Sequence, residues 1–118
     1  MSKELIYIYF DGSGNKYIIE DKIKKSIEYN PIKPLYSSSG YYDGGNCIKK
    51  EISELQYKKI ISKINKAIIN KENQIKNRVK TSGMITIQER NEIKRYILSP
   101  DSKELYKIEK TLQNIINE

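Results

Sequence analysis

The sequence has no histidine, no tryptophan and one cysteine. Without histidine, Ser–His–Asp catalysis, Cys–His catalysis and nearly every zinc site are excluded. The single cysteine, Cys47, cannot form a disulfide within the chain, and beside a predicted strand we expect it to be a small buried side chain. The sequence therefore predicts a protein that is not an enzyme and that holds no metal ion and no cofactor.

Long hydrophobic runs are also missing. No apolar stretch approaches the length needed to span a bilayer. The opening residues MSKELIYIYF carry too short an apolar stretch for a signal peptide, and no small-residue cleavage site follows. We therefore expect a cytoplasmic protein without a membrane partner, and the length predicts a single domain over residues 1–118.

Arginine is scarce in a chain rich in lysine. The formal net charge is +7, but of 22 basic residues only Arg78, Arg90 and Arg95 are arginine. The lysines are scattered and accompany many isoleucines and asparagines, as the codon usage of an AT-rich genome produces. Because arginine supplies the planar fork that grips phosphate bidentately, its scarcity argues against a dedicated nucleic-acid binder. The net charge nevertheless favours an anionic ligand.

Four strands are predicted in the first half of the chain. ELIYIYF (4–10) has the composition of a central strand, and the turn DGSGN leads to a second strand, KYIIE. The sequence IKKSIEY (23–29) predicts a third strand, near an edge of the sheet. CIKKEI (47–52) reads as a short fourth strand with Ile48 and Ile52 on one face.

An amphipathic helix follows. Ser53 and Gln56 form a capping-box pattern, and we expect the helix to end near Asn70 to Asn73. Lysines 58, 59, 63 and 66 lie away from the apolar face. That face consists of Leu55, Tyr57, Ile60, Ile61, Ile64, Ala67 and Ile68.

Residues 84–98 allow two interpretations. MITI is β-branched and ERNE is typical of a turn, which favours a hairpin, whereas Thr86 with Glu89 could cap a helix. The C-terminal segment predicts a helix capped by Ser99, with Pro100 in its first turn. Its apolar stripe is Leu105, Ile108, Leu112, Ile115 and Ile116.

These elements predict the α+β class. We expect an N-terminal antiparallel sheet of about four strands, packed by the amphipathic helix and followed by a second hairpin and a C-terminal helix.

Two polar loops are the candidate binding residues. In YSSSGYYDGGN (36–46) the tyrosines offer flat faces, the serines offer hydroxyls and the glycines allow close backbone approach. KNRVKTSG (76–83) adds positive charge beside a second small turn. The alternative is that both are ordinary surface loops. The candidate ligand-binding residues are Ser38, Ser39, Gly40, Tyr41, Tyr42, Gly44, Arg78, Lys80 and Ser82.

The order of elements, together with SSSGYYDGG and NRVKTSG, resembles the phage-encoded anti-Thoeris proteins. That resemblance implies a sponge in the host cytoplasm that binds a cyclic ADP-ribose-type or cyclic oligonucleotide immune signal without degrading it. It also implies a homo-oligomer, a dimer or higher. By chemistry, the tyrosine faces would hold adenine, Arg78 and Lys80 the pyrophosphate, and the serines and loop backbone the ribose.

Two other functions remain open from the residues. The chain could be a small protein-interaction module, an inhibitor or adaptor that places its C-terminal amphipathic helix in a partner's groove. It could also bind nucleic acid weakly through its lysines.

Overall fold

The computed structural model describes residues 5–21, 24–31 and 47–117. Within these ranges seven strands form one antiparallel sheet, with two helices, so the predicted α+β class is confirmed with more strands than expected. The strand order is β4-β3-β2-β1-β6-β7-β5. The strands are β1 Leu5–Phe10, β2 Lys16–Asp21, β3 Lys25–Asn30, β4 Ile48–Glu51, β5 Gln74–Ile75, β6 Gly83–Glu89 and β7 Glu92–Leu98. The helices are α1 Glu54–Ile69 and α2 Lys103–Ile116.

Strand β1 lies in the middle of the sheet, as its composition predicts. All six of its residues pair with β2 on one side and with β6 on the other. Tyr7 and Tyr9 point to one face and are buried, because successive side chains of a strand alternate between faces. The N-terminal strands and the second hairpin therefore form one continuous sheet.

The hairpin predicted for residues 84–98 is confirmed, and the helical alternative is wrong. Strands β6 and β7 pair from Gly83 with Leu98 to Glu89 with Glu92. Arg90 and Asn91 make the two-residue turn, and Arg90 has a φ of 51°. This left-handed conformation favours glycine, so the turn carries backbone strain.

Both helices cover the face of the sheet that carries Tyr7 and Tyr9. The capping box of α1 is confirmed, since the Gln56 amide donates to Ser53 Oγ at 3.1 Å and the Ser53 amide donates to Gln56 Oε1 at 2.8 Å. The whole predicted stripe of α2 is buried. Neither helix of the described ranges is long and apolar enough to cross a membrane.

Two details of the predicted helices are wrong. Leu55, assigned to the apolar face of α1, is 81% exposed, because it lies in the first turn, away from the sheet. Ser102, not Ser99, caps α2, and its Oγ accepts from the Leu105 amide at 3.3 Å. The Ser102 amide donates to the Ser99 carbonyl, so residues 99–102 form a turn with Pro100 at the position where proline is favoured.

The expectation that Cys47 is buried is also wrong. Cys47 is exposed and its Sγ donates to Asn30 Oδ1 at 3.2 Å. It precedes β4, the strand at one edge of the sheet, where little packs against it.

Tyrosine side chains link the sheet to α2. The Tyr9 hydroxyl donates to Glu109 Oε2 at 2.7 Å, and Gln113 Nε2 donates to the Tyr17 hydroxyl. The rings of Tyr17 and Tyr29 are 4.9 Å apart, so three tyrosines from β1, β2 and β3 form a row in the core. Burial, reinforced by the charge of Asp11, raises the pKa of Glu109, although the hydrogen bonds that the carboxylate accepts oppose this.

We expect Glu109→Gln to change how stability depends on pH. Because the pKa of Glu109 is raised above its ordinary 4.5, the folded chain binds this proton more tightly than the unfolded chain. As the pH rises from 4.5 past the raised pKa of Glu109, deprotonation of this carboxyl lowers the free energy of unfolding of the natural chain. Glutamine does not titrate, so the free energy of unfolding of the variant does not fall for this reason. Urea unfolding followed by circular dichroism should show the variant gaining stability relative to the natural chain as the pH rises. The control is Glu72→Gln, which removes the same charge from an exposed position. If the free energies of unfolding of the natural chain and of Glu109→Gln changed with pH in parallel, the expectation would be contradicted.

We expect Gly83→Ala to lower the free energy of unfolding by about 1–3 kcal/mol. A Cβ there would lie 2.6 Å from the Tyr9 hydroxyl oxygen and 2.8 Å from Leu105 Cδ1. Tyr9 cannot withdraw without losing its hydrogen bond to Glu109. Thermal denaturation measures the effect, with the exposed Ser13→Ala as control. A Gly83→Ala chain as stable as the natural one would show that the sheet and α2 are loosely packed at this point.

Candidate functional site

The predicted binding residues fall partly outside the part of the chain that the structure describes. Only Arg78, Lys80 and Ser82 can be placed, and all three lie in the loop that leads into β6. The residues outside the described ranges are Ser38, Ser39, Gly40, Tyr41, Tyr42 and Gly44.

Arg78 joins this loop to the turn after β1. Its Nη2 donates to the Ser82 carbonyl at 2.8 Å and to the Asp11 carbonyl at 3.4 Å. Its Nε lies 3.4 Å from Ser82 Oγ, and its guanidinium lies 6.0 Å from the centre of the Phe10 ring. Most of its donors are thus used within the protein, which leaves Nη1 for any ligand.

Ser82 is engaged in the same loop. It is fully buried, and its hydroxyl donates to the Val79 carbonyl at 2.7 Å and accepts from the Val79 amide at 3.2 Å. Lys80, by contrast, is exposed and has no ion pair among the described residues. The structure therefore brings Arg78 and Ser82 together as partners of one another, with Lys80 at the surface beside them.

A cluster of positive charge in the described residues lies elsewhere, between the two helices. Helices α1 and α2 pack side by side, and the groove between them on the outer side has a volume of about 240 Å³. The lysine groove, as we call it, is lined by Lys59, Lys63, Lys107, Lys110, Thr111 and Asn114.

Helical spacing aligns these lysines. Lys59 and Lys63 are four residues apart on α1, and Lys107 and Lys110 are three apart on α2, so each pair lies on one helix face with Cβ atoms about 5–6 Å apart. None of the four forms an ion pair within the described ranges, and no carboxylate is among the residues lining the groove. Like charges at this spacing repel, and a bound anion relieves that repulsion.

The sequence contained part of this signal. Its pattern placed Lys59 and Lys63 on the polar face of the first helix, but the pairing with Lys107 and Lys110 depends on how α2 packs beside α1. No group of three or more acidic or cysteine side chains in the described ranges is placed to hold a metal ion. The chemistry available in the lysine groove is therefore the binding of anions.

Comparison with known proteins does not add a function to this geometry. No protein-family model, curated protein or solved structure matches the chain. Function is therefore inferred from the charges, contacts and cavities of the described residues.

We expect Arg78→Ala to destabilise the fold by about 1–2 kcal/mol, because it removes hydrogen bonds to two backbone carbonyls that join separate loops. Lys80→Ala, two residues away and exposed, should stay within about 0.5 kcal/mol of the natural chain. Chemical denaturation of both variants makes the comparison. Equal stability of the two would mean that Arg78 is not a structural link and is available to a ligand.

Proposed function

We propose that the protein is a non-enzymatic sponge that binds and sequesters an anionic cyclic nucleotide, either a cyclic ADP-ribose-type molecule or a cyclic oligonucleotide. The observation that supports this proposal is the lysine groove, with four ammonium groups that have no carboxylate partner in the described ranges. The same kind of ligand is implied by the resemblance to the anti-Thoeris proteins. Sequestration works by mass action, so it needs affinity and abundance but no catalytic group.

The composition of the groove suits phosphate groups. Ammonium groups act as compact point charges toward phosphate oxygens, and the two lysine pairs face one another across the groove. Thr111 and Asn114 add a hydroxyl and an amide, which can hydrogen-bond to phosphate or ribose. Because the lysines are on the surface, affinity should fall as salt screens their charge.

A homo-oligomer is part of this proposal. The groove is shallow in one copy of the chain, and a second copy can supply a further wall to enclose a small ligand.

The described contacts do not favour partner docking through α2. That function needs an exposed apolar stripe, whereas Leu105, Ile108, Leu112, Ile115 and Ile116 pack against the sheet. The lysine groove could also bind longer polyanions, and the experiment below separates that case from the sponge.

We expect one cyclic nucleotide to raise the melting temperature and to bind with a calorimetric signal that weakens about tenfold in Lys63→Gln/Lys110→Gln. The probes are cyclic ADP-ribose isomers, cyclic dinucleotides and cyclic trinucleotides. The control is Lys71→Gln/Lys76→Gln, which removes the same charge from exposed positions outside the groove. Chromatography of the released ligand should recover it unchanged.

Three results would contradict the proposal. The first is the absence of binding by every cyclic probe. The second is equal weakening by the control pair, which would indicate net charge rather than a site. The third is steeply salt-dependent binding of single-stranded DNA without any cyclic ligand, which would identify a general polyanion binder.

A further inference from the structure

A second cavity lies on the side of α1 away from α2. It has a volume of about 250 Å³ and is bounded by α1 and by the ends of β1, β6 and β7. Its apolar wall is formed by Leu5, Ile68 and Ile87. Asn65 and Ile68 of α1 line this cavity, whereas Lys59 and Lys63 of the same helix line the lysine groove. The two concavities are therefore separate.

Tyr7 lines this cavity, and its hydroxyl has no hydrogen-bond partner in the described ranges. The residue is 6% exposed, and its hydroxyl makes no hydrogen bond to any residue in the described ranges. Among those residues, every polar side-chain atom that is completely buried has a hydrogen-bond partner. Because the Tyr7 hydroxyl has none, it must retain some contact with solvent. A polar group buried in this way gains from a hydrogen bond to a ligand.

The charges at the cavity are the reverse of those in the lysine groove. Glu89 and Glu92 both line it and face one another as the last pair of the β6–β7 hairpin. Lys94 is the one cation in the described lining, so the described lining carries a formal charge of −1, from two carboxylates and one ammonium group. Glu92 is exposed and forms no ion pair within the described ranges, so its carboxylate is available to a cation.

The polar residues that line the cavity differ in how far they are exposed to solvent. Glu92 and Lys94 are exposed and therefore lie at the mouth, whereas Tyr7 is buried. Burial, with a smaller contribution from the charge of Glu89, raises the pKa of Tyr7, so its hydroxyl stays protonated and can donate. Tyr96 adds a second aromatic side chain to the lining.

We propose that this cavity binds a small organic cation with an apolar or aromatic body, such as a primary aromatic amine. Its ammonium group contacts the Glu92 carboxylate at the mouth. Its body packs on Leu5, Ile68 and Ile87, and a polar atom at its far end hydrogen-bonds to the Tyr7 hydroxyl. This site is independent of the anion site proposed above.

The test is a titration of the isotopically labelled chain with tyramine, followed by amide chemical shifts. We expect saturable shifts centred on residues 65–68 and 87–94, with a Kd below about 1 mM. The matched anion 4-hydroxyphenylacetate has the same ring and hydroxyl, and it should bind at least about tenfold more weakly.

Four variants assign the contacts. Glu92→Gln should weaken tyramine binding about tenfold, and Lys94→Gln should tighten it about twofold to fivefold. Tyr7→Phe should weaken binding while the melting temperature stays the same or rises, because the lost hydroxyl has no partner in the described chain. Asn65→Trp, at an exposed position of the lining, should fill the cavity and abolish binding. Lys110→Gln, in the lysine groove, is the control and should change nothing.

The proposal is overturned if tyramine produces no saturable shifts, or if shifts map outside the cavity. It is also overturned if 4-hydroxyphenylacetate binds as tightly as tyramine, since the site would then select the ring and not the charge. Undiminished tyramine binding by the folded Asn65→Trp chain would place the ligand elsewhere.

Discussion

The antiparallel pairing of β1 with β6 is the contact on which the rest of the structure depends. It joins residues 5–10 to residues 84–89 and fuses the N-terminal strands with the β6–β7 hairpin. In this register Tyr7 lies between Ile19 and Ile87, and Tyr9 lies between Tyr17 and Ile85. The apolar face of the N-terminal strands and that of the β6–β7 hairpin therefore form one continuous surface. Helix α2 crosses that joint, since Leu105 contacts Gly83 and Glu109 bonds to Tyr9. Without the pairing neither helix would have a continuous surface to cover.

Covering the sheet also decides where the charges go. Each helix turns its apolar stripe inward, so its lysines are left on the outer side, and side-by-side packing brings the lysines of α1 and α2 into one groove. The repulsion among them is modest because water screens exposed charges. Burial in the core stabilises the helices far more than this repulsion destabilises them. The lysine groove is thus compatible with the fold without a compensating carboxylate among the described residues.

Periodicity made the local elements predictable, and its limits explain the errors. The stripe of α2, the capping box of α1 and the hairpin over residues 84–98 all follow from spacing within a few residues. The sequence pattern favours Ser99 as the cap of α2, whereas the bond from the Leu105 amide to Ser102 Oγ identifies Ser102 as the cap and the bond from the Ser102 amide to the Ser99 carbonyl places Ser99 in the preceding turn. The β1–β6 pairing joins segments almost eighty residues apart, and no local pattern specifies it. The candidate site is even harder to predict from the sequence, because its contacts do not follow from local residue patterns. Arg78 bonds to backbone carbonyls, which any sequence offers, and the lysine groove needs the packing of two helices.

Net charge and local charge act at different ranges in this protein. The formal charge of +7 attracts anions over a distance of about a Debye length, whatever surface they finally meet. Binding depends on the groups nearest a ligand. Among the described residues, the lining of the lysine groove holds four lysines and no carboxylate, whereas that of the cavity beside Tyr7 holds two carboxylates and one ammonium group. Because α1 separates the two, a charge change in one lining leaves the contacts of the other intact. A strongly basic chain can therefore hold a site selective for cations, since specificity comes from the few groups that touch the ligand and not from the sum over the surface.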